Sequence, residues 1–169
     1  GLSFTPAEDR DAPNNYHESG KSMPEGTVRL RDKAEAILPG VRGLPSGRDP
    51  DKTENMAQGE LRSQVDIYAG GREAWLIPGE PSPIVGADKR GIDLVVIRES
   101  TEGLFASMGK GIVTHDEARE TLVITRRTSE RLFEFSFKLA ERRKARRRVN
   151  GVLTCVDKAN VFKAFAFFR

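Results

Sequence analysis

One cysteine, two histidines, one tryptophan and two tyrosines are all that 169 residues contain of these side chains. A lone Cys155 excludes an internal disulfide, and its neighbours Leu153, Thr154 and Val156 predict a buried strand position rather than a reactive thiol. His17 and His115 stand apart without metal-spaced partners, so a zinc site has no support. No apolar run approaches the length of a membrane span, and the first residues lack the basic-then-apolar order of a signal peptide. The expectation is a cytoplasmic protein without a membrane partner. A large surplus of one charge is missing too, since 28 Lys and Arg face 25 Asp and Glu for a formal net charge of +3.

Apolar residues make up 37% of the chain, enough for a packed core. The mild basicity is concentrated in Glu141-Arg142-Arg143-Lys144-Ala145-Arg146-Arg147-Arg148. Such a run could neutralise phosphates, but no aromatic residues interleave it to stack on bases, and cations complement the carbonyl end of a helix. It is read as a solvated helix end, and a nucleic-acid module is the weakest of the functional alternatives. The chain starts at Gly1 and stops at Arg169 just after Phe162, Phe165, Phe167 and Phe168, a cluster that later residues would normally cover. The expectation is a piece of a longer protein.

Residues 1–60 are rich in Gly, Pro, Asn and charge and predict only a helix-to-strand passage around Val28–Leu38, curtailed by Pro39. Segment 61–102 contains three strand candidates, Ile67–Ala69, Trp75–Ile77 and Leu94–Ile97, with a charged loop over Ile84–Gly91 after Pro78, Pro81 and Pro83. Segment 103–127 combines Gly109-Lys110-Gly111 with the β-prone run Thr121–Thr125 and suggests a hairpin or projecting arm. In 128–169, Thr128 or Ser129 would cap a helix with apolar positions Leu132, Phe133, Phe137 and Ala140. Val152–Val156 then reads as a buried strand leading through Asp157-Lys158-Ala159-Asn160 into a new apolar segment, a βα unit.

Two near-matches to a phosphate loop fail. Asn15–Ser22 has Asn where the first glycine belongs, Gly103–Gly111 has the wrong spacing, and neither joins a strand to a helix. A positional pattern is stronger. Arg98 and Lys158 each follow a predicted buried strand, at the edge where open α/β sheets bind ligands. Arg72 follows the Ile67–Ala69 segment, and Arg62 precedes it by ten residues. Each alone would be a solvated charge; together, four cations could converge.

The segment Leu61-Arg62-Ser63-Gln64-Val65-Asp66-Ile67-Tyr68-Ala69-Gly70-Gly71-Arg72 resembles the substrate-arginine segment of the isocitrate/isopropylmalate dehydrogenase family. Arg98-Glu99-Ser100-Thr101-Glu102-Gly103 resembles its third-arginine motif, and Val156-Asp157-Lys158-Ala159-Asn160-Val161 its catalytic-lysine motif. Leu44-Pro45 and Pro78–Pro83 fall in family order. The resemblance implies an α/β fold with a mostly parallel sheet, flanking helices and a dimerisation arm, incomplete in this chain. It implies a homodimer, NAD (or NADP) as cofactor, and Mg2+ or Mn2+. The implied reaction is oxidative decarboxylation of a 2-hydroxy di- or tricarboxylic acid, such as isocitrate, malate, tartrate or a 3-isopropylmalate-like acid. Arg62, Arg72 and Arg98 would grip carboxylates in bidentate forks. Lys158 would be the base that removes the hydroxyl proton, often contributed across the dimer in this family. The amine must then be unprotonated, which nearby guanidinium groups and a metal favour.

Several residues depart from the family pattern. Phe105 stands where a tyrosine usually helps to protonate the enolate, and phenyl has no hydroxyl to give. Glu73 replaces a common proline, Gln58 and Met56 replace small polar contacts, and Arg42 interrupts the Gly40–Pro45 turn. The metal-binding aspartates and the adenosine segment implied by the resemblance fall beyond Lys158, so no metal ligand is expected here and the chain alone is expected not to turn over. The alternative from another class is a noncatalytic, regulatory subunit with the same fold.

Overall fold

The computed structural model describes residues 3, 5, 25–38, 57–147 and 149–169. Asn15–Ser22 with His17, Pro39, the Gly40–Pro45 turn with Arg42, Met56 and Arg148 lie outside the described residues, and of Gln58 only the helical backbone is described. The chain divides into two compact units, Gly1–Gln64 and Val65–Arg169.

In the first unit, helix α1 (Glu25–Lys33) carries Glu25 in its first turn and Arg31 and Lys33 in its last. Both placements complement the helix dipole. Helix α2 (Ala57–Gln64) ends this unit, and the Arg31 guanidinium joins the two by donating to Gln64 Oε1 at 2.7 Å. The expected helix-to-strand passage around Val28–Leu38 supplies only its helix. Residues 36–38 form no strand, and Leu38 is 97% exposed.

In the second unit, strands β1 (Gly70–Trp75) and β2 (Asp93–Arg98) pair antiparallel, with Gly70 opposite Arg98 and Arg72 opposite Val96. The Ile67–Ala69 strand is therefore displaced toward the C-terminus. Asp66 adopts a left-handed φ of 51° and its carbonyl accepts from Tyr68 N at 2.9 Å, a tight turn that keeps the backbone from extending before Gly70. The predicted loop 84–91 contains one helical turn, α3 (Ala87–Arg90), set between Gly86 (φ 73°) and Gly91 (φ 69°). These positive values favour glycine and let the chain enter and leave the turn within few residues.

Within residues 103–127, β3 (Ile112–Val113) and β4 (Ala118–Arg119) pair antiparallel. Of the β-prone run only Val123 pairs, in an isolated bridge to Gly103. Both strand pairings among the described residues are antiparallel; the Val152–Val156 segment is unpaired.

Helix α4 (Arg126–Arg147) is the 22-residue backbone of this unit. It begins before the expected caps, because Thr125 is the N-cap: its Oγ1 accepts from Thr128 N at 3.3 Å. Its buried stripe is Thr128, Ser129, Leu132 and Ser136. The serines fit there because each hydroxyl donates to a carbonyl four residues back, Ser129 to Thr125 and Ser136 to Leu132. The Phe133 ring packs at a tilt against Phe168 of helix α5 (Lys163–Phe168), with ring centres 4.9 Å apart. Phe137, expected inside, is 60% exposed, while Phe135 meets Tyr68 edge-on at 6.5 Å. Residues 141, 142 and 144–146 of the basic run are exposed on α4, while Arg143 turns back to an ion pair with Asp93 of β2.

Ala87 and Leu132 are the buried apolar side chains among the described residues. A cavity of about 1070 Å³ opens between β2, α4 and residues 149–156, lined by Val95, Ile97, Leu132, Phe133, Val152 and Leu153 among others. No described helix is long and apolar enough to cross a membrane.

Candidate functional site

Side chains alternate along a strand and directly opposed residues share a face. The observed register therefore puts Arg72 and Arg98 on the same face of the β1–β2 ribbon, as diagonal neighbours about 7–8 Å apart by general sheet geometry. The opposite face carries Asp93, Val95 and Ile97 and is tied to α4 through Asp93 and Arg143. Arg72 and Arg98 thus stand on the face turned away from that attachment, beside the exposed Leu94 and Val96. Arg72 donates to Gly71 O at 3.1 Å. The Arg98 guanidinium carbon lies 5.7 Å from the centre of the Phe105 ring, within the range of a cation–π contact. Two guanidinium groups on one open face, one of them resting on an aromatic ring, can take two carboxylates of a single molecule.

Phe105 reaches Arg98 because the intervening loop is tightly pinned. Glu99 Oε1 accepts from Thr101 N at 2.6 Å and from the Thr101 hydroxyl, while its Oε2 accepts from Glu102 N at 2.9 Å. Glu102 then reaches across the chain: Oε2 accepts from Thr125 N at 2.8 Å, and Oε1 accepts from the hydroxyls of Thr125 at 2.6 Å and Thr128 at 2.8 Å. Burial pushes the Glu102 carboxyl up, but the Thr125 hydroxyl and amide and the Thr128 hydroxyl outweigh it and hold the group below the ordinary glutamate value. Gly103 follows with φ 70° and ψ −131°, a conformation open to glycine, and exchanges two backbone hydrogen bonds with Val123. The 3₁₀ turn Leu104–Ser107 starts there and carries Phe105, which is 36% exposed.

Lys158 sits on a separate turn and is exposed. Its carbonyl accepts from Val161 N at 2.9 Å and Phe162 N at 3.1 Å. Asp157 braces this turn: Oδ1 accepts from Ala159 N at 2.7 Å, and the Arg169 fork donates to Oδ2 at 2.9 Å and Oδ1 at 3.1 Å. The Ala159 amide, followed by the Arg169 pair, holds the Asp157 carboxyl below its usual range. The buried strand expected at Val152–Val156 is instead an exposed segment outside any strand, because no neighbouring strand pairs with it among the described residues. Cys155 is accordingly exposed. Partial burial of the sulfur, together with its contact to the Asp157 carboxylate at 3.5 Å, nevertheless pushes the thiol up, which disfavours the nucleophilic thiolate.

Arg62 occupies the last turn of α2 in the first unit and is half-buried. The structure therefore brings Arg72, Arg98 and Phe105 to one place, while Arg62 and Lys158 are each described within their own element. The cavity beside α4 is lined by none of these five residues, so it is not the candidate site. Among the described residues no three His, Cys, Asp or Glu side chains stand together as metal ligands. The Glu102–Thr125–Thr128 tie was not legible from the sequence: its partners are 23 and 26 residues apart, and no local motif joins them.

A family model described as isocitrate/isopropylmalate dehydrogenase matches residues 2–169. The 3-isopropylmalate dehydrogenase of Staphylococcus aureus (strain MRSA252) is 32% identical over 152 residues, which are 89% of this chain and 42% of that protein. The TT0538 protein of Thermus thermophilus superposes with a TM-score of 0.62 at 32% identity, over 79% of this chain and 26% of that one. The isocitrate dehydrogenase of Methylococcus capsulatus gives a TM-score of 0.62 at 26% identity, over 93% of this chain and 43% of that one. The chain thus spans about two-fifths of the length of the curated relatives it matches.

Proposed function

The chain belongs to the isocitrate/isopropylmalate dehydrogenase family and has its α/β fold, and from that premise we propose that the whole protein oxidises and decarboxylates a 2-hydroxy di- or tricarboxylic acid. The observation that carries this reading is the shared face of Arg72 and Arg98, set by the register of β1 and β2. Guanidinium groups there meet two carboxylates of the substrate in forks, and the Phe105 ring beneath Arg98 supports one of them. Arg62, in the last turn of α2, is the third arginine that the family's substrate segment implies.

Lys158 is the proposed base. Its amine takes the proton from the substrate hydroxyl as the carbinol carbon gives up hydride. The nicotinamide cofactor that the family implies would accept that hydride; no residue of this chain is assigned to it. The 2-keto acid so formed carries a second carboxylate β to its new carbonyl, loses it as carbon dioxide, and leaves an enolate that must be protonated. Phe105 cannot donate that proton. The divalent metal that the family implies would stabilise that enolate; among the described residues no three His, Cys, Asp or Glu side chains stand together to hold it. A homodimer, in which a second copy presents Lys158 to the Arg72–Arg98 face, is part of the same proposal.

Phe105 also favours a second reading, a subunit that binds the acid without reacting. The two are separated by following NADH and NADPH formation by the full-length protein from 3-isopropylmalate, isocitrate, malate and tartrate, with and without magnesium. Magnesium-dependent turnover of one of these acids is expected, and Lys158→Met should abolish hydride transfer while leaving folding and acid binding intact. Retained turnover in Lys158→Met removes the base assignment; saturable binding without any turnover in the wild type supports the second reading.

A further inference from the structure

We propose that Glu102 is a positioning residue for Arg98 and Phe105, acting by tying the loop after β2 to the first turn of α4; the inference rests on the substrate-binding reading of that face. A helix usually closes its own N-terminus, with a Glu or Gln at the third helical position reaching back to the N-cap amide. In α4 that third position is Thr128, whose side chain cannot reach back as a carboxylate does. The acceptor comes instead from Glu102, which takes the N-cap amide of Thr125 and the hydroxyls of both threonines. The cap of α4 and the conformation of residues 99–105 are therefore one structure.

Two consequences bear on Arg98. First, the loop between Arg98 and Phe105 is held at Glu99, at Glu102 and at the Gly103–Val123 bridge, so the 3₁₀ turn is delivered with Phe105 against the guanidinium. Secondly, a carboxylate four residues from an arginine would otherwise be a ready ion-pair partner for it. Three donors at the α4 terminus occupy Glu102, and among the described residues no cation pairs with it. Arg98 is left to a carboxylate that arrives from outside. The Glu102 carboxylate bonds to Thr125 and Thr128 rather than to Arg98, so its effect is exerted through the loop.

The test uses the full-length protein with Glu102→Ala, Glu102→Gln, Arg98→Lys and the Arg98→Lys/Glu102→Ala pair, with 3-isopropylmalate as probe. Glu102→Ala should raise KM on the order of tenfold with kcat within about threefold, as expected for lost ground-state positioning. Glu102→Gln should fall between Ala and wild type, and the double variant should be no worse than Arg98→Lys alone within about twofold, since residues acting through one another are not additive. A double variant showing the product of the two single losses overturns the proposal. Amide hydrogen exchange and the Arg98 Nε–H NMR signal are read in parallel without substrate. In Glu102→Ala, exchange should quicken in 99–107 and 123–128 only, and the Arg98 signal should shift. Unchanged exchange in those segments, an unmoved Arg98 signal, or uniform acceleration throughout the protein overturns it. A wild type that neither binds nor turns over the acid defeats the substrate reading, and the exchange and NMR measurements still decide the role of Glu102.

Discussion

Replacing Thr125 by alanine removes one hydroxyl that serves two purposes. The oxygen accepts from Thr128 N at 3.3 Å as the N-cap of α4, and its hydrogen goes to Glu102 Oε1 at 2.6 Å. Loss of an N-cap side chain costs about 1 kcal/mol and up to about 2. Loss of a hydrogen bond to a charged group costs about 1.5–3 kcal/mol. Because both contributions pass through one atom, and the Thr125 amide still donates to Glu102 Oε2, the two do not sum; a loss of about 2–3 kcal/mol is expected. Thr125→Ser keeps the hydroxyl and should stay within about 0.5 kcal/mol of wild type. Urea unfolding of the full-length protein at fixed concentration measures both, with an unchanged dependence on urea showing that the same surface is exposed. A Thr125→Ala loss below about 0.5 kcal/mol, or equal losses for Ala and Ser, would refute the cap and its tie to Glu102.

The pH dependence of the same contact has a definite sign. The folded Glu102 carboxyl lies below its ordinary value of 4.5, so its contribution is present above that value and is lost as pH falls through the folded one. Stability measured from about pH 6 downward should therefore fall less steeply in Glu102→Gln than in wild type below about pH 4.5; parallel curves would show that Glu102 carries none of the acid sensitivity. Gly103→Ala meets no atom within 4 Å, so any cost comes from its backbone at φ 70°, ψ −131°. A destabilisation of about 1–3 kcal/mol is expected by urea titration, with a raised KM as Phe105 shifts from Arg98; a neutral substitution would show that the loop tolerates another path.

Much of the candidate site can be read along the chain. Arg62, Arg72, Arg98 and Lys158 lie in short motifs whose residue types suffice to place the chain in its family, and the helical spacing around Leu132 and Phe133 marks α4. These features are local: they depend on neighbours within one or two turns, and a sequence displays such neighbours directly. Phe105 is likewise visible as a side chain without a hydroxyl.

What the sequence could not specify is set by partners distant along the chain. Arg72 and Arg98 share a face because β1 pairs with β2 in one register, and a shift by a single residue would turn one of them to the α4 side. Thr125 rather than Thr128 caps α4 because Glu102, from another segment, takes the amide and hydroxyls of that terminus. Phe135 turns toward Tyr68 while Phe137 stays exposed, and Cys155 is exposed because its segment finds no strand to pair with among the described residues. Composition and motif order determine which groups the protein possesses. Register, capping across segments and strand pairing decide where those groups point, because each is a contact between residues the chain brings together only when it folds.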